Sequence, residues 1–143
     1  MIPVLILTHG NLASELLQAA QTIDPSLSGH AASMSLPWDV DSDEASRSLK
    51  KQLRELDQGE GTLILTDMFG GTATNLALPF LEAEKVEIVT GVNLPMLIKF
   101  ANLREEMELH EAAAKIAEQG REAIHVASHV LDAAHRGPDR EPQ

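Results

Sequence analysis

The stretch Ile2-Pro3-Val4-Leu5-Ile6-Leu7-Thr8-His9-Gly10-Asn11 decides the fold. An apolar run with Val and Ile in it, closed by turn-forming residues, reads as a strand buried on both faces. In such a strand neither row of side chains meets water, so alternation disappears. Pro3 is tolerable at the start of a strand, where its missing N–H breaks no central ladder bond. Immediately downstream Leu12, Leu16, Ala20 and Ile23, with Ala13 and Leu17 beside them, recur at helical spacing. Asp24-Pro25-Ser26 ends that helix.

The same alternation of signals continues outward. Residues 31–36 are a weaker, alternating strand, and 37–41 a loop. Asp41 or Ser42 can cap a helix running to about residue 56, with Ala45, Leu49, Leu53 and Leu56 as its apolar stripe. After the Gly59-Glu60-Gly61 turn, Thr62-Leu63-Ile64-Leu65-Thr66 repeats the buried-strand pattern. A helix over 73–84 follows, which Pro79 can kink or shorten. Residues 86–90 are a fourth strand, 94–103 and 108–119 two more helices, the second closed by Gly120. Residues 123–127 read as a short final strand at an edge, and 136–143 as a polar tail expected to be disordered. Buried strands alternating with amphipathic helices predict an α/β fold: a doubly wound, open, mainly parallel sheet with helices on both faces and an antiparallel C-terminal edge strand. Residues 1–127 form the expected domain and 128–143 a C-terminal extension.

Composition narrows the function. The chain has 143 residues, enough for one domain with a real core, and 43% are hydrophobic against 23% charged, which excludes a disordered protein. With no cysteine, a disulfide scaffold, a thiolate zinc site and a cysteine nucleophile are excluded. Eleven basic against 22 acidic residues, a net charge of −11, leave no basic stripe for nucleic acid. The same sign points to a basic protein partner. No apolar stretch approaches the ~18 residues of a membrane span, and no basic leader opens the chain, so a cytoplasmic protein is expected.

In open α/β sheets ligands bind outside the carboxyl ends of the strands. Three such ends are polar: Thr8-His9-Gly10, Thr66-Asp67 with Gly70-Gly71-Thr72, and Thr90-Gly91-Val92-Asn93. Gly10-Asn11 opens a helix, so its free N–H groups and positive dipole end lie beside His9. Gly70, Gly71 and Thr72 can form a nest of donors with a hydroxyl added. Asp67 can accept the proton of one imidazole nitrogen, leaving the other nitrogen's lone pair as nucleophile. A phosphoryl group needs little more than in-line positioning and donors for its oxygens. Each residue also has an ordinary reading: His9 as a loop residue, Asp67 as a helix cap, Gly70-Gly71 as a turn. The pattern suits a phosphorylated histidine and a general base alike.

Other constellations fail sooner. Asp39, Asp41 and Asp43 imitate a calcium loop, but Glu44 stands where glycine is required and Lys50 where glutamate is required, so the loop reads as a helix cap. There is no G-x-x-x-x-G-K-[ST] and no third glycine after Gly59-Glu60-Gly61, hence no nucleotide loop. His125, His129 and Asp132 would share a helical face, but His125 is assigned to a strand and no H-E-x-x-H is present, so no metal or other cofactor is expected. His30 and His110 read as solvated surface residues. No G-x-S-x-G supports a hydrolase.

Leu7-Thr8-His9-Gly10 with Ala13 and Leu16, Thr66-Asp67-Met68-Phe69-Gly70-Gly71-Thr72 with Asn75, and Thr90-Gly91-Val92-Asn93-Leu94-Pro95-Met96-Leu97 stand in order at matching strand ends. Together they resemble the enzyme IIA component of mannose-family sugar phosphotransferase systems, over roughly residues 2–127. The resemblance implies a phosphocarrier. His9 would take a phosphoryl group from phospho-HPr and pass it to a IIB partner, Asp67 would hold the imidazole, and Gly70, Gly71 and Thr72 would form the phosphate loop beside Gly10. It also implies a homodimer in which a C-terminal strand, here 123–127, crosses to the other subunit, and no metal or nucleotide. Phe69 departs from the tryptophan common in sugar-transporting members, the run from His129 does not match, and the chain ends without a fused IIB domain. Two other roles fit the same residues: the phosphoryl-donor subunit of a dihydroxyacetone kinase, and a regulatory module read out by its phosphorylation state.

Overall fold

The computed structural model describes residues 1–103 and 105–136. Four parallel strands, β1 (Val4–His9), β2 (Ala31–Leu36), β3 (Thr62–Thr66) and β4 (Val86–Thr90), form a sheet in the order β2-β1-β3-β4. Six helices accompany them: α1 (Leu12–Ile23), α2 (Ser42–Leu56), α3 (Thr72–Ala77), α4 (Leu94–Ala101), α5 (Leu109–Glu122) and α6 (Ala127–Arg136). The α/β class and the parallel sheet are as the buried runs predict.

β1 is central and has no solvent face. Val4 and Ile6 pack with α1, α4 and α5 against Ala13, Phe100 and Ile116, while Leu5 and Leu7 pack with α2 and α3 against Leu49 and Ala73. Helices thus cover both faces, which is why the strand sequence does not alternate. β1 extends two residues further than its apolar run, because Thr8 and His9 still pair with Ser35 and Leu36 of β2. The buried side of α1 runs through Ala13 and Ala20, with Leu16 and Leu17 partly covered. Leu12 and Ile23, expected on the stripe, are exposed. In α2 Ala45, Leu49 and Leu53 of the expected stripe are buried, and Leu56 is only partly covered.

The connection from β1 goes outward to β2, and the next returns over β1 to β3, so the direction of winding reverses between β1 and β3. That reversal makes their carboxyl ends a topological switch point, where the diverging loops leave a crevice.

Three expectations are corrected. The helix expected over 73–84 ends at Ala77 and passes into a 3₁₀ turn over Leu78–Phe80, because Pro79 supplies no N–H to continue it. Gly120 does not close α5, which runs on to Glu122. A Cβ at Gly120 would stand 2.8 Å from Met96 Sδ, so this glycine serves the close approach of α4 and α5. The edge strand over 123–127 is not formed either: Ala123 caps α5 in the right-handed helical region, and α6 begins at Ala127. Within the described chain every strand is parallel, and no strand flanks β4 on its outer side. Of the polar tail, 137–143 lie outside the described residues, as does Arg104.

Candidate functional site

Parallel pairing of Leu7 with Thr66 brings the carboxyl ends of β1 and β3 side by side. One residue past β3, the Asp67 side chain turns back onto the end of β1. Its Oδ2 accepts from the His9 backbone N–H at 3.0 Å and meets His9 Nδ1 at 2.7 Å. Oδ1 accepts from the Met68 N–H at 3.0 Å. The carboxylate therefore continues the ladder where the β1–β3 backbone pairing stops, and grips the imidazole with the same oxygen.

Both side chains are mostly covered yet reach solvent, His9 17% exposed and Asp67 14%. Burial alone pushes the Asp67 carboxyl up. The His9 side-chain and backbone hydrogen bonds, the charge of His9 and the Met68 N–H outweigh burial and hold Asp67 below its ordinary range. An ionised Asp67 can only accept, so the hydrogen of the 2.7 Å contact belongs to Nδ1. In the neutral ring that leaves the lone pair on Nε2, which bonds to no described residue.

Neighbouring polar residues hold this arrangement rather than extend it. Asn11 caps α1 with no side-chain bond; instead buried Thr8 Oγ1 accepts from the Ala13 N–H at 2.7 Å, tying the first turn of α1 to the end of β1. Thr74 Oγ1 donates to Met68 O at 2.6 Å and lies 2.7 Å from Thr66 Oγ1, pinning the loop after β3 from beneath. Gly71 lies against the imidazole: a Cβ there would stand 3.1 Å from His9 Cε1 and 3.0 Å from Met68 Cγ. Gly70, at φ +81°, takes the left-handed conformation that turns the chain back towards α3, which begins at Thr72. Gly10 bonds through its N–H to Leu36 O at 2.8 Å.

The third polar strand end joins the frame instead of the crevice. Asn93 Oδ1 accepts from the Met96 N–H at 3.1 Å and caps α4, while Nδ2 donates to Gly120 O at 3.2 Å. Asp41 Oδ1 accepts from the N–H groups of Asp43 and Glu44, so the acidic loop is the helix cap expected. His125 lies in the connector between α5 and α6, His129 and Asp132 on α6, and these three do not gather as ligands. Among the described residues the group that brings such atoms together is exposed Glu84, Glu108 and His110, with His110 Nδ1 2.9 Å from Glu84 Oε1. His30 is half-buried rather than solvated, and its Nδ1 has no partner.

Sequence reasoning missed Trp38. Its ring stacks on His9 with centroids 5.3 Å apart and planes 18° from parallel. The available signal was position: Trp38, the chain's one tryptophan, sits in the loop after β2, which opens on the same edge as His9.

Comparisons with known proteins identify the family and the fold. The chain is 32% identical over 128 residues to the mannose-specific EIIAB component of the phosphotransferase system of Escherichia coli strain K12, covering 86% of this chain and 38% of that protein. It thus spans well under half the length of that relative. It is 31% identical over 81 residues to the fructose-specific EIIA component of Bacillus subtilis strain 168, covering 56% of each. Among solved structures, the mannose/sorbose specific IIA subunit from Enterococcus faecalis superposes with a TM-score of 0.77 at 29% identity, over 88% of this chain and 95% of that one. The phosphotransferase system component EIIA from Streptococcus agalactiae gives 0.77 at 25% identity, over 90% and 98%. Residues 3–117 match the family described as the phosphotransferase system fructose IIA component, and the chain belongs to that family, EIIA-man.

Proposed function

We propose that the chain is a histidine phosphocarrier of a phosphotransferase system. His9 Nε2 takes the phosphoryl group from a phosphorylated HPr-type donor and hands it to a histidine of a IIB partner. The observation that carries this reading is the 2.7 Å contact of His9 Nδ1 with Asp67, which leaves Nε2 as the nucleophilic atom. Asp67 orients the ring and balances the positive charge that arises on it. Gly70, Gly71 and Thr72 supply donors for the phosphoryl oxygens, a role supported by the contact distance of Gly71 from the ring. Gly10, expected among them, gives its N–H to Leu36 O and borders the site without a free donor. No cofactor enters the transfer, since positioning and charge complementarity suffice. The functional unit is 1–127, with 128–143 as an extension, in the cytoplasm. The acidic chain, at −11, suits a basic donor.

Incubation with phosphoenolpyruvate, enzyme I and HPr is expected to add an acid-labile phosphate that His9→Ala abolishes. Label that persists in His9→Ala overturns the assignment.

The same reading includes a homodimer. The free edge of β4 borders an apolar groove of about 390 Å³ lined in part by Leu78, Leu81, Ile88 and Ile124, and natural proteins rarely leave such an edge open. Sedimentation is expected to give twice the 15.5 kDa chain mass; a monomer at micromolar concentration defeats it.

A further inference from the structure

The His9 ring is confined on three sides. Asp67 holds Nδ1, Gly71 lies against the Cε1 edge, and the indole of Trp38 covers one face. Rings offset at 5.3 Å and tilted by only 18° have the geometry that aromatic pairs favour. The loop that carries Trp38 is tethered at both ends. The Gly10 N–H on Leu36 O joins the end of β2 to the residue after His9, and Asp41 starts α2 on the far side. Pro37 restricts the backbone between them. The indole also comes within van der Waals reach of Gly10, with Nε1 3.5 Å from where a Cβ would lie.

Trp38 is nevertheless 82% exposed, so the core does not hold it there. Its defined contacts are the imidazole and the glycine beside it. A tryptophan face is the strongest aromatic partner for a cation, and the His9 ring becomes cationic when Nε2 forms a bond to phosphorus while Nδ1 keeps its hydrogen.

We propose that Trp38 is a positioning residue for His9: its indole closes one face of the imidazole, directs Nε2 to the open side and stabilises the positive charge the ring acquires on phosphorylation. The inference rests on the phosphocarrier reading and names a residue for that site. The step can be isolated with phosphoramidate, a small donor that has no protein surface to dock. The Nε2 lone pair forms the N–P bond as the donor's own N–P bond breaks, and that electron pair leaves with ammonia. The ring is left as an imidazolium, with Nδ1–H against the Asp67 carboxylate and one face against Trp38.

The test compares wild type, Trp38→Leu and Trp38→Phe, each checked for wild-type circular dichroism. Labelling of His9 by phosphoramidate is expected to be about two- to five-fold slower in Trp38→Leu, the size of an exposed cation–ring contact, and within about two-fold of wild type in Trp38→Phe, which keeps a ring. Trp38→Leu labelled at the wild-type rate by this small donor overturns the proposal, whatever its rate with a protein donor. A second readout needs no phosphate. As the one tryptophan, Trp38 reports its own stacking, and its emission is expected to change in His9→Ala; identical emission overturns the contact. A wild-type chain that takes phosphate from phosphoramidate but none from phospho-HPr defeats the phosphocarrier reading, while these two readouts still decide the role of Trp38.

Discussion

One carboxylate oxygen, Asp67 Oδ2, holds both the backbone N–H of His9 at 3.0 Å and its ring Nδ1 at 2.7 Å. The residue that orients the imidazole is therefore also the residue that terminates the central strand. The orientation of the imidazole and the hold on the strand end are joined at a single atom.

Removing that atom is expected to affect transfer more than folding. In Asp67→Ala the ring is free to exchange tautomers and rotate, and phosphorylation of His9 falls on the order of 10- to 100-fold, the usual effect of losing a histidine's orienting partner. The stranded His9 N–H costs about 1–3 kcal/mol. Radiolabel transfer and urea unfolding on the same sample check both, and a wild-type transfer rate removes Asp67 from the mechanism.

The lowered carboxyl of Asp67 makes stability depend on acid. Its folded value lies below the ordinary 3.8, so its contribution is complete above that value, where both folded and unfolded states are ionised. The contribution is lost as pH falls from there through the folded value, because the unfolded state takes up the proton first. The urea midpoint of wild type is expected to fall more steeply than that of Asp67→Asn as pH drops below about 4. Parallel curves refute the linkage.

Adjacent glycines separate sterics at the site from backbone strain. Gly71→Ala places a methyl 3.1 Å from His9 Cε1 and 3.0 Å from Met68 Cγ, so the ring is displaced and phosphorylation suffers most. Gly70→Ala meets no atom within 4 Å but must hold φ at +81°, so it costs about 1–2 kcal/mol of stability. Transfer rates and thermal midpoints measured on both variants should rank them in opposite orders.

Buried Thr74 links the loop to β3 through Met68 O and Thr66 Oγ1. Thr74→Val keeps the shape and deletes the hydroxyl, leaving both partners unsatisfied, and is expected to cost about 1–3 kcal/mol. Thr74→Ser, which restores the hydroxyl, should recover most of the loss in chemical denaturation; failure to do so assigns the cost to the lost methyl instead.

Where a reading depended on burial period or capping, residues close in sequence sufficed. The unalternating run over 2–7 lies in a buried strand, observed at Val4–His9, and the stripe Ala45, Leu49, Leu53 and the cap at Asp41 appear as their spacing predicts. Gly120 and residues 123–127 misled for a common reason. A glycine near a helix end looks like a terminator until the neighbouring helix that needs the space, with Met96, is seen. An apolar pair such as Ile124 and Val126 looks like a strand until its neighbours are known, and among the described residues no strand pairs with it.

The candidate site divides along the same line. His9 and Asp67 were legible because each ends a strand, and strand ends are local features. Trp38 was not, because a contact between the loop after β2 and the end of β1 depends on how the strands lie side by side.

From residue order alone came the parallel α/β class and two chemically suitable strand ends, since burial on one or both faces is written in the period of each segment. Tertiary structure decided that the chain crosses back over β1 after β2, so that β3 pairs with the other edge of β1 in the register that sets Leu7 opposite Thr66. It thereby placed Asp67 beneath His9 and Trp38 above Gly10. No local pattern carries that information, because strand order and register are chosen by the packing of all the helices at once.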